Sequence, residues 1–166
     1  TIKKNKGAFV SKPTLKEARE VFQARALLEP CTARSAAERA TPADIDRLKR
    51  HINEEHDALD RDEAGLALKL SGEFHVAIAQ IADQHTIEQF LRQLISRSSL
   101  VIALYWRRRN ALCESNAHHA LVDAIRDADG DRAEDLMKGH LLDLLSQLDL
   151  RERPEGPVSL KDALQL

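Results

Sequence analysis

The stretch HHALVDAIRDADGDRAEDLMKGH, residues 118–140, decides the fold. It opens and closes on histidine, and Asp129-Gly130-Asp131 interrupts it midway. On both sides of that breaker, apolar residues recur at intervals of three and four, the spacing of one face of an α-helix. Leu121, Val122 and Ile125 share a face with His118; Ala133, Met137, Leu141 and Leu144 share one with His140. The pattern predicts a helical hairpin. His118 lies 12 residues before Gly130 and His140 lies 10 after it. At ~1.5 Å per residue both sit roughly 15–18 Å from the turn, so two imidazoles face one interior at one height.

The same periodicity runs outward through the chain. Helices are expected at 15–39, 42–60, 62–83, 87–109, 114–128 and 131–149. Their starts carry capping signals. Thr14-Leu15-Lys16-Glu17 and Asp131-Arg132-Ala133-Glu134 read as capping boxes, and Thr41 precedes Pro42 at a first helical position. Pro30 is expected to kink or split the first helix. Short connections imply antiparallel neighbours, so the fold class is all-α, an antiparallel helical bundle of about six to seven helices. Residues 14–150 form that domain. Residues 1–13 carry a strand-like piece, Ala8-Phe9-Val10, which cannot be stable alone and reads as the end of another unit. Residues 151–166, with two prolines and a glycine, read as a loosely packed tail.

Composition narrows the function. The 43% apolar and 31% charged residues fit a folded globular domain, and a net charge of −2 supplies no global field toward nucleic acid or anionic lipid. Cys31 and Cys113 form no disulfide framework, and the lysine-bearing N-terminus lacks an apolar signal core. The apolar-rich run Leu100–Trp106 is far short of a membrane span. A cytoplasmic protein is the expectation.

The chemistry lies in inward-facing polar residues. His75 shares its stripe with Ile78, Ala79 and Ala82, which makes it a third inward histidine beside His118 and His140. His51, His85 and His119 point outward, and His56 is ambiguous. Three imidazoles from three helices are a donor set for zinc, nickel or iron, with an open position for water or a carboxylate. The plainer alternative is hydrogen-bonded core histidines. Arg97, on the stripe of Phe90, Leu94, Val101 and Leu104, and Arg25, beside Val21, Phe22 and Leu28, also read as inward. A buried guanidinium needs an anion. Glu29, four residues on, serves Arg25; Arg97 has no acidic neighbour on its helix and could pair across the bundle or take a ligand carboxylate. Arg107-Arg108-Arg109 reads as a solvated helix end. Glu-x-x-His, His-Glu-x-x-His and phosphate-cradling glycine loops are absent from the sequence.

Four segments together resemble a known family: Phe22-Gln-Ala-Arg25-Ala-Leu-Leu-Glu29, Ser71-Gly-Glu-Phe-His75-Val-Ala-Ile-Ala, His118-x-x-Leu-x-x-Ala-Ile, and Asp129-Gly-Asp131-x-Ala133-x-x-x-Met137-x-x-His140-Leu. Their order and spacing are similar to the FCD-class effector domain of GntR-family transcription regulators, over about residues 14–150. The N-terminal Gly7-Ala-Phe-Val10-x-x-Pro13 resembles the wing end of that family's winged helix-turn-helix. The resemblance implies a homodimeric bundle that binds a small carboxylate effector and reaches DNA through an N-terminal domain. It also implies a divalent metal, zinc or nickel, on His75, His118 and His140. The family's metal-binding aspartate, four residues before the first histidine, is Ser71 here, which leaves three neutral ligands and places Ser71 beside the effector. Gln84 stands where the family commonly has asparagine. Two other classes compete: a metal-free dimerisation bundle with structural histidines, and a zinc hydrolase, for which Glu73 is the nearest general base in sequence but on another helix face.

Overall fold

A computed structural model describes residues 2–3, 7–8, 12–106 and 115–151. Six helices account for most of them: α1 (Leu15–Arg39), α2 (Pro42–Asp60), α3 (Ala64–Ile81), α4 (His85–Tyr105), α5 (Ser115–Arg126) and α6 (Gly130–Gln147). A two-residue ribbon, β1 (Ile2–Lys3) against β2 (Gly7–Ala8), precedes them. The expected Ala8-Phe9-Val10 strand is described only at Ala8. The arginine run at 107–109, Cys113, and the tail after Arg151 lie outside the described residues.

Local signals fix the helix starts. Thr14 and Thr41 each accept from the backbone three residues on, while Glu17 and Asp44 reach back, so both capping boxes close. The box expected at Asp131 does not form. Asp129 is the N-cap of α6 and accepts from Arg132 N, which frees Asp131 and Glu134 to bind Arg34 on α1. Both residues fit a capping pattern locally, but the charge across the bundle takes them. The ends of α2 and α5 close similarly. Asp62 and Ala128 adopt left-handed φ of 59° and 56°, and the next residues donate to Ala58 O and Ala124 O. That 6→1 bond satisfies the helix's last carbonyls.

Pro30 does not split α1, which runs unbroken from 15 to 39 with Pro30 buried. The ring removes one donor, but residues on both sides are packed, and tertiary burial outweighs the local cost.

Cross-bundle contacts set the helix directions. Arg19, near the start of α1, donates to Leu150 O beyond α6, and Arg34, near its end, meets the start of α6. The two helices are therefore antiparallel. Arg47 early in α2 donates to Gln80 late in α3, and Gly72 of α3 approaches Ile95 and Ser99 of α4. A Cβ on Gly72 would stand 2.9 Å from Ile95 Cγ2, so this crossing requires glycine. The main core joins Leu48 and Ile52 (α2), Phe74 and Ile78 (α3), Leu121 and Ile125 (α5), and Met137 and Leu141 (α6). Each such side chain contributes ~1.5–3 kcal/mol on burial. This core lies directly against the inward histidines: Phe74 stacks at 4.4 Å on the His118 ring.

Candidate metal and effector site

The three expected inward histidines meet. His75, His118 and His140 are each buried, and one nitrogen from each lies within 4.8 Å of the others. His118 Nε2 is 3.3 Å from His140 Nε2. The hairpin brings them to one height, as the spacing about Gly130 predicts. Two nitrogens bound to one zinc at ~2.0–2.1 Å in tetrahedral geometry stand roughly 3.3–3.4 Å apart, so the spacing already fits a metal's coordination edge.

Carboxylates hold two of the rings from behind. His75 Nδ1 is 2.6 Å from Glu29 Oε2, and His118 Nδ1 is 3.2 Å from Glu55 Oε2. Each partner fixes the tautomer with Nδ1 protonated and turns the Nε2 lone pair inward, the usual outer support of a histidine metal ligand. His140 has no such partner, and its Nδ1 is buried without a hydrogen bond. Glu55, 1% exposed, was not singled out from the sequence. The signal was present: it continues the buried stripe Ile45, Leu48, Ile52 on α2, where a carboxylate has no business without a partner.

Charge follows the same logic. Arg25 donates through Nε to Glu29 Oε1 at 2.5 Å and through Nη1 to Ser98 Oγ at 2.9 Å. Burial pushes the Glu29 carboxyl up, but Arg25 and His75 outweigh it and hold the group well below the usual carboxylate range. Burial lowers His75 from its ordinary 6.5 against the opposing pull of Glu29. Burial lowers His140 further, helped by His118 and His75. His75 and His140 are thus neutral near pH 7, as metal ligands must be. Glu29 is thus ionised between Arg25 and His75.

Beside His75 lies a small cavity lined by Arg25, Ser71, Ser99, Ile102, Trp106 and Leu144, among others. Two of the three expected effector residues, Arg25 and Ser71, meet here. The indole Nε1 of Trp106 is buried with no hydrogen-bond partner, a donor the sequence reading missed. The space amounts to ≈ 20 Å³, room for about one water.

Arg97 is elsewhere. It is exposed, and its charge acts on Glu17 at the start of α1. The inward face of α4 is Leu91, Ile95, Ser98, Val101 and Ile102; of the expected stripe Val101 is buried, but Arg97 is not, and Phe90 is 57% exposed. Both stripes obey helical spacing. The bundle buries the one whose Ser98 hydroxyl takes the Arg25 guanidinium. Arg25 itself has the structural pairing with Glu29 that four-residue spacing suggested. Glu73 is exposed and paired with Lys69.

The fold and donor set define a helical domain built around a buried three-histidine cluster. The chain belongs to the FCD family, whose model matches residues 20–143. It is 32% identical over 118 residues to the Galactonate operon transcriptional repressor of Escherichia coli (strain K12), covering 68% of this chain and 49% of that protein. It is 27% identical over 129 residues to the Nta operon transcriptional regulator of Aminobacter aminovorans, covering 78% and 61%. The chain thus spans about half the length of the curated relatives it matches. The solved structure of Streptococcus agalactiae GntR superposes with a TM-score of 0.68 at 23% identity, over 88% of this chain and 73% of that one. This is the FCD domain of a GntR-family transcriptional regulator, a family of regulators rather than enzymes. Among the described residues, no helix is long and apolar enough to cross a membrane.

Proposed function

We propose that this domain senses a small carboxylate through a divalent metal held by His75, His118 and His140, and passes that signal to DNA-binding domains in a cytoplasmic homodimer. The observation that carries the reading is the convergence of three buried histidine nitrogens within 4.8 Å. The buried Glu55 supports it over structural histidines, because its hydrogen-bond partner among the described residues is the His118 imidazole, the outer support that a ligating histidine carries. Zinc or nickel suits the imidazole donors, and the three neutral ligands leave a position for an acidic ligand.

The cavity beside His75 is the effector's place. Arg25, the Ser71 hydroxyl and the unpaired Trp106 Nε1–H are its donors. Since ≈ 20 Å³ is far below the size of a ligand pocket, an acid enters only as the packing of α4 and α6 around Trp106 and Leu144 changes. Binding therefore selects a second packing of the bundle, which is what transmission to an attached domain requires. We assign residues 1–13 to the end of a winged helix-turn-helix and its linker.

Metal analysis of untagged protein tests the centre. We expect about one metal per chain, lost in both His118→Ala and His140→Ala, and a carboxylate-dependent rise in melting temperature of the loaded form. Folded protein that takes up neither zinc nor nickel would sink the metal reading in favour of structural histidines.

A further inference from the structure

Against His140, and sharing no lining residue with the cavity beside His75, lies an open groove of ≈ 570 Å³ lined by Asp129, Asp131, Asp135, Asp143, Gly139 and His140, with Arg132 and two other residues completing the wall. Asp129 caps α6 and Asp131 pairs with Arg34. The carboxylates of Asp135 and Asp143 have no ion pair or hydrogen bond among the described residues. They stand eight residues apart on α6, with Gly139 midway on the same face.

Gly139 has no packing reason. A Cβ there would meet nothing within 4 Å, so a larger side chain would fit without clash and would strengthen the helix. What the missing side chain does is leave the groove open above the next residue, His140. That residue is 7% exposed, lines the groove, carries a buried Nδ1 with no partner, and places its Nε2 3.3 Å from His118 Nε2. It is the member of the cluster that touches both the groove and the centre.

We propose that this acidic groove is the route by which a divalent cation reaches the three-histidine centre. Asp135 and Asp143 draw the ion in, Gly139 keeps the path clear, and His140 is the first ligand it meets. A cleft lined by one sign of charge raises the local concentration of the opposite ion and its capture rate, an effect that salt removes. The same charge repels a carboxylate, so the groove admits the metal and not the effector, whose cavity shares no lining residue with it. The proposal rests on the metal reading above.

Stopped-flow zinc loading of the metal-free chain, read with a chromophoric zinc indicator, tests the route apart from the centre. Asp135→Asn/Asp143→Asn should load several-fold more slowly at low salt, with the difference gone at high salt, and still bind one zinc per chain. Gly139→Leu should slow loading and release alike and leave equilibrium affinity unchanged. Circular dichroism confirms that each variant folds. One zinc bound per chain at the same rate and salt dependence in all variants would overturn the route and leave the centre standing. A lower equilibrium affinity with an unchanged loading rate would overturn it equally, since the groove would then be part of the site. Wild-type protein that binds no stoichiometric zinc would remove the centre, and the route with it.

Discussion

The two sides of the histidine cluster are built differently. On the α1–α3 side, His75 leans on Glu29, Glu29 on Arg25, and Arg25 on Ser98, a chain in which every link is hydrogen-bonded and buried. On the α6 side, His140 has no partner at Nδ1 and backs onto an open acidic groove. One side is held by hydrogen bonds; the other has none at its Nδ1. His118 is intermediate, held by Glu55 alone and at a longer 3.2 Å. A metal centre needs both properties. Tethered ligands lower the cost of ordering the site, and an untethered one lets it open.

Removing the keystone of the fixed side should have the largest effect. Glu29→Ala strands the Arg25 guanidinium, which is 3% exposed, and releases His75. Breaking a buried pair from one side costs ~3–5 kcal/mol, a large part of a domain's stability. Urea denaturation should place the midpoint far below wild type. An unchanged midpoint would mean that Arg25 reaches water and that the side is not rigid.

Glu55→Gln should act on the centre more than on the fold. The amide keeps the volume and a hydrogen-bond acceptor for His118 Nδ1–H but removes the charge that makes the imidazole a stronger donor. Loss of such an outer partner lowers metal affinity about 10–100-fold. Competition with a zinc chelator reads this directly. An unaltered affinity with intact folding would show that His118 is oriented by Phe74 stacking instead.

The contrast between sides was only partly visible in the chain. The hairpin and all three histidines follow from spacing about Gly130 and from apolar stripes, because helical period and rise are local properties. Arg97 does not follow. Two adjacent stripes on α4 satisfy the same period, and the choice between them rests on Ser98 meeting Arg25 from a helix 73 residues away. The capping box at Asp131 fails for a related reason, since Arg34 lies 97 residues off. Glu55 was legible as a polar break in an apolar stripe, but its partner was not. The unpaired Trp106 nitrogen is a property of the packed cavity alone.

The smallest expected effect, and the one that isolates His140, is a pH dependence of the metal-free protein. His140 faces His118 from α5, His75 from α3, and Arg25 and Glu29 from α1, with Asp135 and Asp143 along its own helix. Burial, with the neighbouring imidazoles and Arg25, holds it well below the ordinary 6.5 in the folded state, and Glu29 opposes only weakly. In the unfolded chain the ring takes a proton near that ordinary value. The unfolded state therefore binds more protons once pH falls below about 6.5, and stability declines from there as acidity increases. His75 contributes in the same direction, restrained by Glu29. Glu29 adds a second decline, below its ordinary 4.5, as its ion pair becomes harder to keep. Urea midpoints should thus be level above pH 7 and fall between pH 6.5 and 5. His140→Gln should flatten that first decline more than it lowers the plateau. If wild type and His140→Gln lose stability in parallel over that range, another group is titrating, and the open side of the cluster is wetter than its burial implies.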